Sequence, residues 1–213
     1  MKQALRNILF PKKSYGLKEI HNGHYKIEYR GIPCQKCPFD YVIYQMIIDK
    51  VKPDLIIEIG TNEGGSTLYL ADLLQIYGKG QIHSIDISDK CSVLVKDHPL
   101  IKLFHDGWDQ YDFSLASGFE RILVIEDSSH QYKNTLGAIE RFKNLVSIGS
   151  YLIVEDGIVE ELGWSKSFGG GPVRAIEEFL VNNEQFTVDK YWEDYFGLSA
   201  TFNTKGFLKR ISK

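Results

Sequence analysis

From residue 40 onward the apolar positions alternate between a helical and a strand rhythm. "DYVIYQMIIDKV" at 40–51 places them at helical spacing, Pro53 interrupts, and "LIIEI" at 55–59 is a short, nearly continuous apolar run of the kind carried by a strand buried on both faces. The alternation continues with a helix, "STLYLADLLQIYG" (66–78), ended by Gly78, and a second strand, "QIHSIDIS" (81–88). A short polar helix around "CSVLVKDH" (91–98) precedes a third strand, "IKLFHDG" (101–107), and a fourth, "RILVIED" (121–127). The helix "QYKNTLGAIERFKNLV" (131–146) leads to a fifth strand, "SYLIVEDG" (150–157). "ELGWSKSFGGG" (161–171) is too rich in glycine for a regular element, and Pro172 opens "PVRAIEEFLVNN" (172–183) at the first-turn position that tolerates proline. "FTVDKYW" (186–192) and "ATFNTKGFLKRI" (200–211) follow with no helix between them, so they are predicted to pair as an antiparallel hairpin. The whole is an α/β domain over 40–213: a mostly parallel sheet closed by a C-terminal antiparallel hairpin, with helices on both faces. Residues 1–39 form an N-terminal extension, a cap over the site or an oligomer contact, with Tyr15, Tyr25 and Tyr29 as its aromatic surface.

Composition agrees with one globular domain: 213 residues, 43% hydrophobic and 25% charged. A net charge of −3 and a pI near 6.1 offer no general attraction to nucleic acid, so a small molecule is the expected partner. The apolar stretch of "MKQALRNILFPKK" is broken by Arg6 and Asn7 and is too short for a signal segment, and no apolar run approaches a membrane span. With three cysteines, reduced thiols and a cytoplasmic address are expected, and the chain is expected to self-associate. "HNGH" at 21–24 and "CQKC" at 34–37 supply His21, His24, Cys34 and Cys37, which could form a tetrahedral zinc set or be incidental thiols in an aromatic extension.

The chemistry concentrates at strand ends. In "EIGTNEGGS" (58–66), Gly60, Gly64 and Gly65 let backbone approach a ligand outside the carboxyl end of the first strand. Asn62 stands where the middle glycine of a dinucleotide fingerprint would admit a pyrophosphate, which disfavours a nicotinamide dinucleotide. Asp86, at the end of the second strand, suits the two hydroxyls of an adenosine ribose, or simply caps a helix. An adenosine without pyrophosphate fits better, S-adenosylmethionine above all, and Glu58, a carboxylate inside an apolar strand, then lies near the cofactor's amino group. Asp106 and Gly107 could meet the adenine, with Trp108 stacked on it or filling core.

"PDLIIEIGTNEGGSTLYLADLL", "IEDSSH", "GSYLIVEDG", "GGGPVRAIEEFL" and "TFNTKGFLKR", in this order, resemble the cephalosporin hydroxylase-like family of class I methyltransferases. That family is similar to the metal-dependent O-methyltransferases that modify macrolide sugars. The resemblance spans roughly residue 31 to the end. It implies a Rossmann-like seven-stranded sheet, S-adenosylmethionine held by Glu58, Gly60, Thr61, Asn62, Gly64, Gly65, Ser66, Asp86, Asp106, Gly107 and Asp127, and a divalent cation, usually Mg²⁺. No two-histidine, one-carboxylate iron set is apparent at the strand ends, so hydroxylation is not expected.

In that sheet order the first, fourth and fifth strands are neighbours, which brings Asp127 beside Glu155 and Asp156. Three carboxylates without a thiol describe a site for a hard cation, and these three are the expected metal ligands. His130, close behind Asp127, is the expected general base, with Asp127 also in the catalytic group. "WSKSFGGG" at 164–171 reads as a lid carrying Trp164 and Phe168, or as a loop without gating. The leading expectation is transfer of a methyl group to a hydroxyl of a sugar or other small natural product. The alternatives are a non-catalytic S-adenosylmethionine-binding helper and, less favoured by Asn62, an NAD-dependent oxidoreductase.

Overall fold

The computed structural model describes residues 16–198 and 200–213. The readings of "MKQALRNILFPKK" and of Tyr15 fall outside these residues. A helix α1 (Leu17–His24) and a two-stranded ribbon, β1 (Glu28–Tyr29) and β2 (Ile32–Pro33), precede α2 (Pro38–Val51), whose opening proline occupies the first turn as its missing N–H allows. Then follow β3 (Leu55–Ile59), α3 (Gly65–Ile76), β4 (Gln81–Ile85), α4 (Val93–Lys96), β5 (Ile101–Phe104), β6 (Ile122–Glu126), α5 (Tyr132–Phe142), β7 (Tyr151–Val154), α6 (Gly171–Val181), β8 (Phe186–Val188), α7 (Lys190–Glu193) and β9 (Phe207–Arg210). The main sheet has seven strands in the order β5-β4-β3-β6-β7-β9-β8. Every pairing from β5 to β7 is parallel, and β9 runs antiparallel to both β7 and β8.

Strand periodicity divides the core. Ile56, Leu123 and Ile153 pack with Ile43, Ile47, Leu70 and Leu74 from α2 and α3, while Ile57, Val124, Leu152 and Val154 pack with Ala138, Phe142, Ile176 and Phe179 from α5 and α6. Successive residues point to opposite faces, so a strand covered on both sides reads as continuous apolar sequence. Two details differ from expectation. The last two strands pair antiparallel as expected, but "DKYW" leaves the strand, because Asp189 accepts a hydrogen bond from the Tyr191 N–H (3.2 Å), caps α7 and ends β8 at Val188, which turns the buried Trp192 into the core. "ATFN" likewise lies outside β9, where Asp40 accepts hydrogen bonds from the Thr201 hydroxyl and the Phe202 N–H (3.1 Å). Residues assigned to the N-terminal extension lie against the domain, with the Tyr29 hydroxyl donating to Asp72 of α3 at 2.8 Å.

His83 sits in β4 with no solvent exposure, its Nδ1 2.6 Å from the Tyr111 hydroxyl. Burial, with Lys102 nearby, pushes its pKa down to about 4. The depressed value means that the unfolded chain takes up this proton first as pH falls. The stability His83 contributes is therefore intact above about 6.5, the ordinary histidine value, and is lost between there and about 4. Replacing His83 with Gln should make the loss of stability between pH 7 and pH 5 smaller than in the native protein, measured by urea denaturation at both values; an equal loss in the two proteins would contradict this.

Candidate active site

A cavity of about 560 Å³ opens at the carboxyl ends of the central parallel strands. Of the residues the sequence singled out, Gly60, Thr61, Asn62, Gly65, Ser66, Asp86, Gly107, Trp108, Asp127, His130 and Asp156 line it. The turn after β3 is bent tightly. Gly60 has φ +106°, and a Cβ there would come within 1.9 Å of the Asp127 carbonyl oxygen, so glycine is required to bring the β3 turn against the end of β6. Asp86 braces this rim: its carboxylate accepts from the backbone N–H groups of Asn62 (2.8 Å) and Ile87 (2.7 Å). Oδ1 also accepts from the Ser88 N–H (3.1 Å), so Oδ2 is the oxygen with accepting capacity to spare.

Three residues expected at the cofactor have other surroundings. The Glu58 carboxylate is fully buried and absent from the cavity wall, because the hydroxyls of Ser66, Thr67 and Ser84 donate to it. It ties β3 to the first turn of α3 and to β4, which meets the requirement that a buried carboxylate be hydrogen-bonded. Gly64 faces α4, where an added Cβ would meet Val95 at 2.7 Å, so its role is packing and its substitution would act through the fold. Asp106 is exposed and lies off the cavity wall. Trp108 does both things expected of it, lining the cavity while its ring packs over Gly137 of α5, leaving no room there for a Cβ.

At the floor of the cavity the strand-end acids separate. Donor atoms of Asp127, His130 and Asp156 lie within 4.8 Å of one another, and His130 Nε2 is 3.2 Å from Asp156 Oδ2. His130 and Asp156 have φ +55° and +57°, left-handed conformations that are uncommon outside glycine and that here aim both side chains at one point. Glu155 does not join them. Its carboxylate is buried and accepts from the Tyr44 hydroxyl (2.6 Å) and from the Lys36 ammonium, which also donates to Asp127 Oδ2 at 2.9 Å. Burial drives the carboxyl pKa values of Asp127 and Glu155 upward while Lys36 pulls them back, and the two acids hold the Lys36 ammonium protonated well above its ordinary range against its own burial. Three carboxylates and one ammonium leave surplus negative charge beside the cavity, a setting that favours a cationic ligand. Lys36 and Tyr44 gave no signal in the sequence: a lysine between two cysteines and a tyrosine in a helical run both read as ordinary.

The four zinc candidates do not assemble; among the described residues, the metal-competent group is Asp127, His130 and Asp156. His24 Nδ1 is bonded to the His21 carbonyl oxygen, the Cys37 thiol donates to the Ala200 carbonyl (3.1 Å), and burial pushes the thiols of Cys34 and Cys37 up to about 11 and about 12. His21, His24 and Tyr25 instead border the same cavity, with the His21 ring 4.9 Å from that of Trp164. Phe168 stands opposite, 6.1 Å from the His130 ring. The upper wall is thus aromatic and the floor acidic.

The chain is similar to known proteins. Residues 21–105 and 111–211 match the model of the family described as Rhamnosyl O-methyltransferase/CmcI. The chain is 30% identical over 212 residues to the rhamnosyl O-methyltransferase of Mycobacterium bovis (strain BCG / Pasteur 1173P2), covering 91% of this chain and 84% of that protein. It is 34% identical over 193 residues to that of Mycobacterium leprae (strain TN), covering 84% and 81%. In fold it is similar to CmcI with SAH (TM-score 0.70, 21% identity, 97% of this chain and 91% of the other) and to CmcI with Mg and SAM (0.67, 22%, 98% and 84%). No helix among the described residues is long and apolar enough to cross a membrane. The glycine turn at the end of β3, the acid and histidine floor and the match over nearly the whole length lead to one assignment: the chain belongs to the Rhamnosyl O-methyltransferase/CmcI family and is an O-methyltransferase.

Proposed function

We propose that this protein transfers the methyl group of S-adenosylmethionine to a hydroxyl of a sugar, a rhamnosyl unit or a close relative, with a divalent cation at the acidic floor. The observation that carries the reading is the meeting of Asp127, His130 and Asp156 at the base of a cavity whose rim is the β3 turn and Asp86. In this reading the Gly60–Ser66 turn and Asp86 seat the adenosine, and the surplus negative charge favours the sulfonium. The aromatic wall of His21, Tyr25 and Trp164 offers flat faces to a sugar ring, and closure of the Trp164–Gly171 loop would exclude water.

The donor set suits a hard cation: Asp127 and Asp156 would hold it through oxygen with water filling the remaining positions, and the ion would supply Lewis acidity toward the acceptor hydroxyl. With the ion held through oxygen, the His130 imidazole would stay free for the proton. The His130 imidazole takes that proton as the acceptor oxygen attacks the methyl carbon; the new C–O bond forms while the sulfur–carbon bond breaks, its electron pair staying on sulfur. Asp156, 3.2 Å from Nε2, stabilises the imidazolium that results.

Incubation with methyl-deuterated S-adenosylmethionine, Mg²⁺ and either methyl α-L-rhamnopyranoside or catechol tests the acceptor class. Labelled methyl on the rhamnoside, found by mass spectrometry, is expected; label on catechol alone would overturn the sugar reading. Asp86→Ala should weaken S-adenosylmethionine binding by about ten- to a hundredfold, since a hydrogen bond to a charged group contributes roughly 1.5 to 3 kcal/mol. Unchanged affinity by calorimetry would remove Asp86 from the ribose.

A further inference from the structure

The proposed reaction assigns no task to Gln131, Tyr132 or Arg174, yet these three hold the segment 164–171, which walls the cavity with Trp164 and Phe168. The Trp164 ring stands nearly perpendicular to that of His21 on α1, their centroids 4.9 Å apart, and Phe168 lies 6.1 Å from the His130 ring. Two side chains grip the backbone of the segment itself. Gln131 Nε2 donates to the Ser167 carbonyl (3.3 Å), and the Arg174 guanidinium donates to the Gly169 carbonyl (3.2 Å). Gly170, with φ +120°, makes room for the second contact: an added Cβ would stand 2.5 Å from the Arg174 side chain, so glycine is what lets the arginine cross here. Arg174 is fixed in turn by Tyr132, its guanidinium 4.1 Å from the ring centre, and the Tyr132 hydroxyl donates to Glu178 at 2.5 Å. One chain of contacts therefore joins α6, the start of α5 and the segment that carries Phe168 toward His130.

We infer that Arg174 and Gln131 are positioning residues for the acceptor: they clamp the 164–171 segment by its own carbonyls, keep Trp164 and Phe168 on the cavity, and so set how tightly the acceptor binds. A segment that ends in three successive glycines of positive φ, Gly169 to Gly171, has wide backbone freedom, and its exposed carbonyls could be satisfied by water in many conformations. Two donors from neighbouring helices and a cation over a ring select one of them. Loosening the clamp lowers the fraction of molecules with the aromatic wall in place, and the apparent affinity for the acceptor falls by that fraction. The groups that seat the cofactor and move the proton are untouched. The inference rests on the reading of this wall as the acceptor site, while the clamp itself does not depend on which hydroxyl compound binds.

Lys166 is exposed within the segment and gives a readout independent of methyl transfer: the rate at which trypsin cleaves after it, followed by mass spectrometry. Arg174→Met, which keeps the length of the side chain and removes its donors and charge, is expected to speed cleavage at Lys166 by at least about tenfold. With methyl α-L-rhamnopyranoside as acceptor, the same variant should raise KM by about tenfold, leaving kcat and S-adenosylmethionine affinity within about threefold of native. Arg174→Lys, which can still donate and still lie over the Tyr132 ring, should stay within about threefold of native in every measurement. Unchanged cleavage at Lys166 in Arg174→Met, or a fall in kcat with KM unchanged, would overturn the inference. If Arg174→Met does not fold, Gln131→Leu decides, with faster cleavage and a raised KM expected and native values in both contradicting the clamp. Failure of the sugar O-methyltransferase reading would show instead as no transfer to the rhamnoside by the native protein, and the cleavage rates alone would then decide whether the clamp exists.

Discussion

His130→Ala is expected to lower turnover by about two to four powers of ten while cofactor and metal affinities stay close to native, the range for loss of a positioned general base. Distance and surroundings support so large an effect. Nε2 lies at the acidic floor, 3.2 Å from Asp156, and the left-handed backbone at His130 leaves the ring little choice of direction. The pH profile carries the mechanistic content. The native profile is expected to carry a limb that the variant lacks. Single-turnover rates across pH on both proteins check this. Should the variant retain most activity together with the limb, acidification of the acceptor by the bound cation alone would be sufficient, and His130 would leave the catalytic group. Because His130 lies outside helix and strand, circular dichroism should be unchanged, which separates a chemical defect from a folding one.

Removing divalent cations with excess chelator is expected to reduce transfer by about a hundredfold or more, the factor that several kcal/mol of transition-state charge stabilisation represents. S-adenosylmethionine binding should remain mostly intact, since the β3 turn and Asp86 lie on the other side of the cavity floor from Asp156. Re-addition of Mg²⁺ should restore the rate. Full activity in protein shown by metal analysis to be empty would refute the dependence. Asp156→Asn should reproduce the chelator effect without chelator, because this carboxylate meets both the ion and His130. Calorimetry with the cofactor, run beside the rate measurements, distinguishes loss of chemistry from loss of binding.

Much of the architecture is legible in the pattern of the chain because it follows from local rules. "LIIEI" and "ILVIE" can be buried on both faces only in a covered sheet, and Gly60, the one residue type that fits its turn, marks where the chain crosses a ligand site. Individual side chains were less legible. Glu58 and Glu155 are both acids in apolar surroundings, and sequence logic sends each to a ligand. The first is instead satisfied by three hydroxyls from α3 and β4 and the second by Lys36 and Tyr44, partners from 8 to 119 positions away. A buried carboxylate demands a partner, but its type is decided by whatever the fold brings near.

The sequence by itself determined the sheet, its antiparallel finish, the glycine turn and the strand-end acids, since each depends on periodicity, on backbone freedom or on a short spacing. It also carried the family resemblance, which the match over residues 21–105 and 111–211 bears out. Only the tertiary structure decided that His130 lies against Asp156, that Glu155 turns to an ammonium, and that Lys36 is drawn inward between Cys34 and Cys37 to meet it. These outcomes join residues from distant parts of the chain, with Lys36 meeting carboxylates 91 and 119 positions onward. Such contacts depend on which side chains share a small buried volume and balance its charge, and that balance exists only once the chain has closed around it.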